Sequence, residues 1–258
     1  MTRDEEWLFQ EKYHGERTLG FFADCTRIAS GEPLAYIIGW VPFLDTKIHL
    51  DLPAGQAGTR PLIPRPETEY WVEQAIADIK SSEGRSFGRL PIRILDLCAG
   101  SGCIGVAVLK HIPNAIADFA EIDTAHHATI KKNLHENGIE SSRANILGGD
   151  LFEHVEGAYD FILSNPPYID PAVNRAEKSV QEHEPHIALY GGNQGMELIL
   201  KILEKAPLFL KPSGVLYIEH EPEQVDEMSK AGALYGFSVT VHRDQYGVDR
   251  FTRYTLML

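Results

Sequence analysis

Cysteine is scarce in this chain, and the three present cannot build a disulfide framework: Cys25, Cys98 and Cys103 are an odd number of thiols spread over 258 residues. A reducing compartment is the expectation. Long apolar runs are also lacking. No stretch approaches the roughly 20 apolar residues that cross a bilayer, and the opening MTRDEEWLFQEKYHGER has no apolar segment of signal-peptide length. The chain is therefore expected to be soluble and cytoplasmic, with no membrane partner. Positive charge is in deficit, because 24 Lys and Arg face 37 Asp and Glu, and the net charge of -13 is spread along the length. Neutralising a phosphate backbone needs local basic charge, so no stable nucleic-acid binding is expected. Internal repeats and low-complexity tracts are missing as well.

What is present suffices for one catalytic domain with a small appendage, at 43% apolar content. Residues 1 to about 30 scatter Trp7, Leu8, Leu19, Phe21, Phe22 and Ile28 in a pattern that fits one or two short amphipathic helices. Residues 31 to 69 alternate around Ile48, Leu50 and Leu52 between Gly and Pro, which predicts a β-hairpin followed by a proline-fixed loop. A helix then runs through Lys80 with Trp71, Val72, Ala75, Ile76 and Ile79 on one face, and SSEGRSFGR at 81–89 reads as a linker. From Pro91 apolar runs alternate with helical patterns, among them IRILDL, AIADFAEI, ANILGG, YDFILS, GVLYIEH and FSVTVHR, with a helix expected from about Gln194 to Leu210. This rhythm predicts an α/β fold with a parallel sheet covered on both faces. The expected division is 1–80 for the N-terminal helices, hairpin and loop, and 90–258 for the catalytic domain.

ILDLCAGSGCIGVAVL places Gly100, Gly102 and Gly105 between a predicted strand and a predicted helix, where glycine permits a tight turn and close approach of a ligand to the main chain. Glu121, about 20 residues on at the end of the next strand, can accept hydrogen bonds from both hydroxyls of a ribose. Together they predict an adenosine-containing ligand. Asp96, just before the glycines, would repel a pyrophosphate but suits a cationic group, so S-adenosylmethionine is favoured over a dinucleotide. Asp150 and Leu151 follow the third strand and are assigned to the adenine ring; locally, a helix N-cap beside a core leucine is an equal alternative.

Asn165, Pro166, Pro167 and Tyr168 emerge from YDFILS at the same edge. Two prolines remove two backbone donors and stiffen the loop. A planar NH₂ group has two donors, which the Asn165 side-chain oxygen and the Pro166 carbonyl can accept while Tyr168 stacks on its flat face. Methyl transfer to such a nitrogen then needs positioning and carbonyl oxygens near the growing positive charge rather than an acid–base apparatus.

GEPLAYIIG at 31–39, IPRPETE at 63–69, DLCAGSGCIG at 96–105, SNPPYI at 164–169, EPHIALYGGNQG at 184–195 and GVDR at 247–250 resemble, in the same order, segments of the release factor glutamine methyltransferases, the protein-(glutamine-N5) methyltransferases. The resemblance implies a Rossmann-like class I methyltransferase sheet of seven strands with the last antiparallel. It implies as substrate the glutamine of a Gly-Gly-Gln loop in a peptide chain release factor, gripped by Asn165, Pro166, Pro167 and Tyr168. Cys98, Ala99, Gly100, Ser101, Gly102 and Glu121 would hold the cofactor, and Arg65, Glu67 and Thr68 would help to close the site. That family carries a larger helical N-terminal domain than the roughly 30 residues before Gly31 here, and LPAGQAGTRP before Ile63 is longer than its usual connection. Asn-Pro-Pro-Tyr alone also occurs in adenine and ribosomal RNA methyltransferases and in a family that methylates a ribosomal-protein glutamine. The alternatives kept are base N-methylation of DNA or ribosomal RNA, methylation of that ribosomal protein, and a non-catalytic adenosine-binding module.

His183, Glu184 and His186 have no second cluster at zinc-like spacing, so no metal is expected and they are read as part of the substrate-facing loop. His220 is read as a surface histidine, residues 219–223 as a solvated acidic face, and the cysteines as buried packing residues.

Overall fold

The computed structural model describes residues 1–52, 59–82, 91–174 and 176–257. The predicted linker at 81–89 and the insert before Ile63 lie largely outside the described residues. In chain order the elements are α1 (Arg3–Glu11), α2 (Leu19–Ala29), α3 (Leu34–Ile38), β1 (Trp40–Phe43), β2 (Thr46–His49), α4 (Pro66–Ser82), β3 (Ile92–Leu97), α5 (Cys103–His111), β4 (Ala115–Glu121), α6 (His126–Glu136), β5 (Ala144–Gly148), β6 (Tyr159–Ser164), α7 (Lys178–His183), α8 (Glu197–Lys205), β7 (Leu210–Glu219), α9 (Val225–Leu234), β8 (Phe237–Arg243) and β9 (Asp249–Leu256). Among the described residues no helix is long and apolar enough to cross a membrane.

Seven strands form one sheet in the order β5-β4-β3-β6-β7-β9-β8. The first five are mutually parallel and β9 runs antiparallel to both β7 and β8, as expected. Side chains alternate across a strand, so each central strand feeds two cores. Ile92, Ile94, Phe161, Leu163, Val215 and Tyr217 pack on one face against α4 and α5. Leu95, Leu97, Ile162, Leu216 and Ile218 pack on the other with Ile199, Ile202, Leu203 and Met228 of α8 and α9. The predicted apolar face of α4 is buried throughout, from Trp71 to Ile79. Burying each of its large side chains contributes about 1.5–3 kcal/mol.

The hairpin of β1 and β2 turns through Leu44 and Asp45, both at positive φ (+42° and +58°), the geometry a two-residue connection needs. Its outer edge is completed by side chains rather than by a strand. Asn133 Oδ1 accepts from His49 N (2.7 Å) and Asn133 Nδ2 donates to His49 O (3.1 Å). One turn along α6, Asn137 makes the same pair with Lys47, at 2.9 Å each way. Asn133 Nδ2 also donates to Ser101 O (2.9 Å), so hairpin, α6 and glycine turn are braced together. The N-terminal helices carry their own small cluster of Leu8, Phe21 and Ile37, and α3 is a helix where the sequence pattern suggests only hairpin.

Gly105 does not line the turn but lets α5 lie close to β4, since a Cβ there would overlap the Phe119 ring. Gly105→Ala is expected to cost about 1–3 kcal/mol by overpacking, read as a lower urea midpoint at unchanged slope. An unchanged midpoint would show that α5 and β4 can move apart freely.

Candidate active site

Because the five parallel strands point the same way, their carboxyl ends lie on one edge, and the order reverses between β3 and β6. That switch point opens a crevice. The glycine turn leaves β3 on one side of it, and Asn165 leaves β6 on the other, the two ends tied by Ser164 Oγ donating to Leu97 O (2.8 Å). Two cavities meet there and share Leu62, Asn165 and Ala188 as a wall. The first is lined by Cys98, Gly100, Glu121, Asp150, Leu151 and Pro167 among others. The second is lined by Arg65, Glu67, Tyr168, Glu177, Glu219 and Arg250 among others.

On the first side, Glu121 is 6% exposed and its carboxylate is fixed by the backbone: Oε2 accepts from Gly100 N (2.7 Å) and Oε1 from Asp123 N (2.9 Å). Ala99, Ser101 and Gly102 frame the turn rather than its wall, with Ala99 N donating to Ala120 O (3.1 Å) and Gly102 N to Ala99 O (2.7 Å). Cys98 and Leu151, both on the wall, hold left-handed backbone at φ +63° and +51°. Such conformations cost non-glycine residues energy and cluster where a ligand is cradled. Burial pushes the Cys98 and Cys103 thiols up; of the three cysteines read as buried packing residues, Cys103 is buried, whereas Cys25 and Cys98 are half-buried. Asp150 is exposed and is followed by a turn instead of an α-helix, so it is not a helix N-cap, whereas Leu151 is a core leucine, buried among apolar neighbours, as well as part of the wall. The described lining has carboxylates at Glu121 and Asp150, no Lys or Arg, and one histidine, His126, whose ring nitrogens lie against Glu121 and the Thr59 carbonyl. That set fits a ribose and a cationic group and does not fit a pyrophosphate.

Asp96 is fully buried beneath the turn. Its Oδ2 accepts from Gly105 N (2.8 Å), and its Oδ1 has no partner among the described residues. Burial pushes its carboxyl up to about 8, the Gly105 N–H opposing the rise and the Glu121 charge adding to it. Since the folded value lies above the ordinary 3.8, the contribution to stability is complete below 3.8 and is lost as pH rises through about 8. Asp96→Asn is expected to flatten the decline in Tm between about pH 4 and about pH 8. A decline as steep in the variant as in the parent would contradict this.

On the second side the decisive group is Glu219, which ends β7 and is fully buried. Its Oε2 accepts from Thr68 Oγ1 (2.6 Å) and Trp71 Nε1 (2.7 Å) on α4, and its Oε1 from the Tyr168 hydroxyl (2.9 Å). Thr68 has one hydroxyl proton and spends it on Glu219, so its oxygen can only accept from Asn165 Nδ2 (3.1 Å). The Asn165 amide is thereby oriented, leaving Oδ1 as its acceptor. Burial raises Glu219 against the pull of its three donors and Arg250. Burial and the Glu219 charge together push the Tyr168 phenol well above its ordinary range, keeping it a donor.

These positions correct two readings. Residues 219–223 are not a solvated face throughout: Glu219 is an interior acceptor, whereas Glu221 is half-buried and Glu223 is exposed. His220 is not a surface histidine: it is buried between Glu221 O (2.9 Å from Nδ1) and Thr252 Oγ1 (2.8 Å from Nε2), and burial pulls it down to about 4. The sequence reading misses Glu219 as a support of the site, although it stands at a strand's carboxyl end just as Glu121 does, and it places Glu184 in the substrate-facing loop without its pairing to Arg65.

The segment at 63–69 and the Glu-Pro-His segment meet as a strap. Glu184, its side chain 1% exposed, receives Arg65 Nη2 (2.7 Å) and Ile63 N (3.1 Å). Pro166 is buried and Pro167 faces the first cavity. Behind them a Cβ on Gly195 would overlap the Tyr168 carbonyl, so the glycine lets that segment press on the loop. Arg250, from GVDR, pairs with Glu221 and Asp244 at 3.3 Å each, beside Glu219. His183 Nδ1 and His186 Nε2 face the Ser179 and Gln181 carbonyls. Among the described residues no group of three or more His, Cys, Asp or Glu could hold a metal ion.

Residues 87–183 match the family described as Methyltransferase small domain. A release factor glutamine methyltransferase of Bifidobacterium longum is 32% identical over 242 residues, covering 90% of this chain and 78% of that protein. A second, from Thermodesulfovibrio yellowstonii, is 35% identical over 226 residues, covering 85% of this chain and 75% of that protein. Among solved structures, a methyltransferase from Pyrococcus furiosus superposes with a TM-score of 0.58 over 92% of this chain and 99% of its own, at 17% identity, a likeness of fold.

Proposed function

Since this chain belongs to the release factor glutamine methyltransferase family, we propose that it transfers a methyl group from S-adenosylmethionine to the side-chain amide nitrogen of the glutamine in the Gly-Gly-Gln loop of a peptide chain release factor. Glu121 would accept the ribose hydroxyls, Asp150 and Leu151 would meet the adenine, and Cys98, Ala99, Gly100, Ser101 and Gly102 would cradle the remainder, with Asp96 beneath the cationic end. When bound, the cofactor supplies a methyl carbon activated by its sulfonium.

The observation that carries the reading is the wall shared by the two cavities. Asn165 lines both, and the Glu219–Thr68 relay holds its NH₂ end, leaving its oxygen as the free acceptor. A carboxamide nitrogen offers two N–H donors and little basicity, because its lone pair is delocalised into the carbonyl. Asn165 Oδ1 and the Pro166 carbonyl would hold those donors, leaving the lone pair on the face toward the first cavity. Their oxygens then stand beside positive charge growing on nitrogen, in a site that supplies them already oriented. Tyr168 and the strap of Arg65, Glu67 and Thr68 would shut water from the amide. The nitrogen loses its proton to water once the new N–C bond has formed.

The test is transfer of labelled methyl to purified release factor, to a Gln→Ala variant of its Gly-Gly-Gln loop, and to DNA and RNA in parallel. Label on the intact release factor alone is the expected result. Label on nucleic acid would move the chain to base methylation.

A further inference from the structure

His126 opens α6 on the wall of the first cavity, beside Glu121 and Gly100. Its side chain is 3% exposed, and the polar atoms facing its two ring nitrogens are all acceptors. Nδ1 lies 3.5 Å from Glu121 Oε1, while Nε2 lies 3.0 Å from the Thr59 carbonyl oxygen and 3.7 Å from Asp123 Oδ2. A neutral imidazole has one N–H and one lone pair. If it donates to Thr59, the Nδ1 lone pair faces a carboxylate with water excluded; if it donates to Glu121, Nε2 faces a carbonyl. Only the imidazolium is attracted on both sides, by an ion pair to Glu121 at 3.5 Å, where Nδ1 makes no hydrogen bond among the described residues, and by a hydrogen bond to Thr59.

We propose that His126 is a positioning residue for the methyl donor: as an imidazolium it braces the Glu121 carboxylate toward the cavity and fastens residues 59–62, so that Leu62 stays in the cavity wall. This rests on assigning the first cavity to the adenosine end. Thr59 Oγ1 donating to Asp123 Oδ2 (3.2 Å) is a second fastening of the same segment. Burial lowers the His126 pKa, but Glu121, the Thr59 carbonyl and Asp123 outweigh it and hold the group above its ordinary value. The other charged groups of the surrounding elements are turned elsewhere or are acidic. Lys132 on α6 pairs with Asp51 (3.1 Å), Arg60 pairs with Glu32 (3.5 Å), Asp150 lies along the cavity wall, and Asp96 is under the turn.

Because the folded value is raised, the brace is complete at low pH and is lost as pH rises through it. Calorimetric binding of S-adenosylhomocysteine to the full chain, from about pH 5.5 to about pH 8.5, reads this directly. Wild-type affinity is expected to weaken about tenfold across that range as one charge-assisted contact is lost. His126→Gln is expected to bind about tenfold more weakly at the acidic end, with the His126 component of the pH profile gone. The profile of this variant also carries whatever Asp96 contributes to both proteins. Asp123→Asn, which keeps the histidine and an oxygen to accept from Ala125 N, is expected to move the midpoint to lower pH. A His126→Gln curve that reproduces the wild type, or an Asp123→Asn midpoint that does not move, overturns the proposal. Tight but pH-independent wild-type binding overturns it and leaves the cavity assignment standing. No wild-type binding at any pH overturns both.

Discussion

Asn165→Ala is expected to lower kcat for methyl transfer to release factor by about a thousandfold, the scale on which a preoriented charge-stabilising group acts. S-adenosylhomocysteine should still bind the variant within a few-fold of the parent. The separation follows from the wall. On the cofactor side Asn165 is one contact among many, since Glu121 is held by Gly100 and Asp123 and does not depend on it. On the substrate side its Oδ1 is the acceptor that the relay delivers. Single-turnover rates and calorimetric affinities measured on the same preparation check both halves. A variant that transfers at the parental rate, or one whose loss of transfer is accounted for by loss of cofactor binding alone, would refute the assigned role.

Thr68→Val is expected to lower kcat about a hundredfold, the cost of a small misplacement of a reacting group. Valine keeps the shape of Thr68 in its buried place, but it can neither donate to Glu219 nor accept from Asn165. The Asn165 amide is then free to turn its NH₂ toward the substrate, where two donors would face two donors. Thr68→Ser retains the hydroxyl and should recover most of the rate. Loss of activity in both variants to the same degree, or in parallel with loss of thermal stability, would mean that Thr68 only packs.

The residues that line the crevice are legible in the sequence because they sit where chain geometry must put them. A strand, a turn and a helix fix Gly100; the ends of β4 and β6 fix Glu121 and Asn165. The sheet is legible in the alternation of β3, β6 and β7. Glu219 is misread because it begins a polar run, Glu-His-Glu-Pro-Glu, whose composition suggests solvent. The strand's period of two contains the correction: Glu219 shares the face of Val215 and Tyr217, and that face lies under Trp71. Similarly, α8 is shorter than the apolar pattern from Gln194 to Leu210 suggests. It is an α-helix only from Glu197 to Lys205, gives way to a short 3₁₀ turn containing Pro207, and Leu210 already belongs to β7. Helix α3 is five residues long, too short to display a helical repeat, and Ile37 and Ile38 read as strand. The strap's anchor on Glu184 joins positions 119 apart in sequence, which no local pattern encodes.

The measurement closest to the central claim is tandem mass spectrometry of release factor after reaction, locating the added methyl atom by atom. An acceptor pair at Asn165 and Pro166 predicts one methyl on the side-chain nitrogen of the Gly-Gly-Gln glutamine, absent with Asn165→Ala. A methyl on any other residue, or on that glutamine in undiminished yield with the variant, would contradict it.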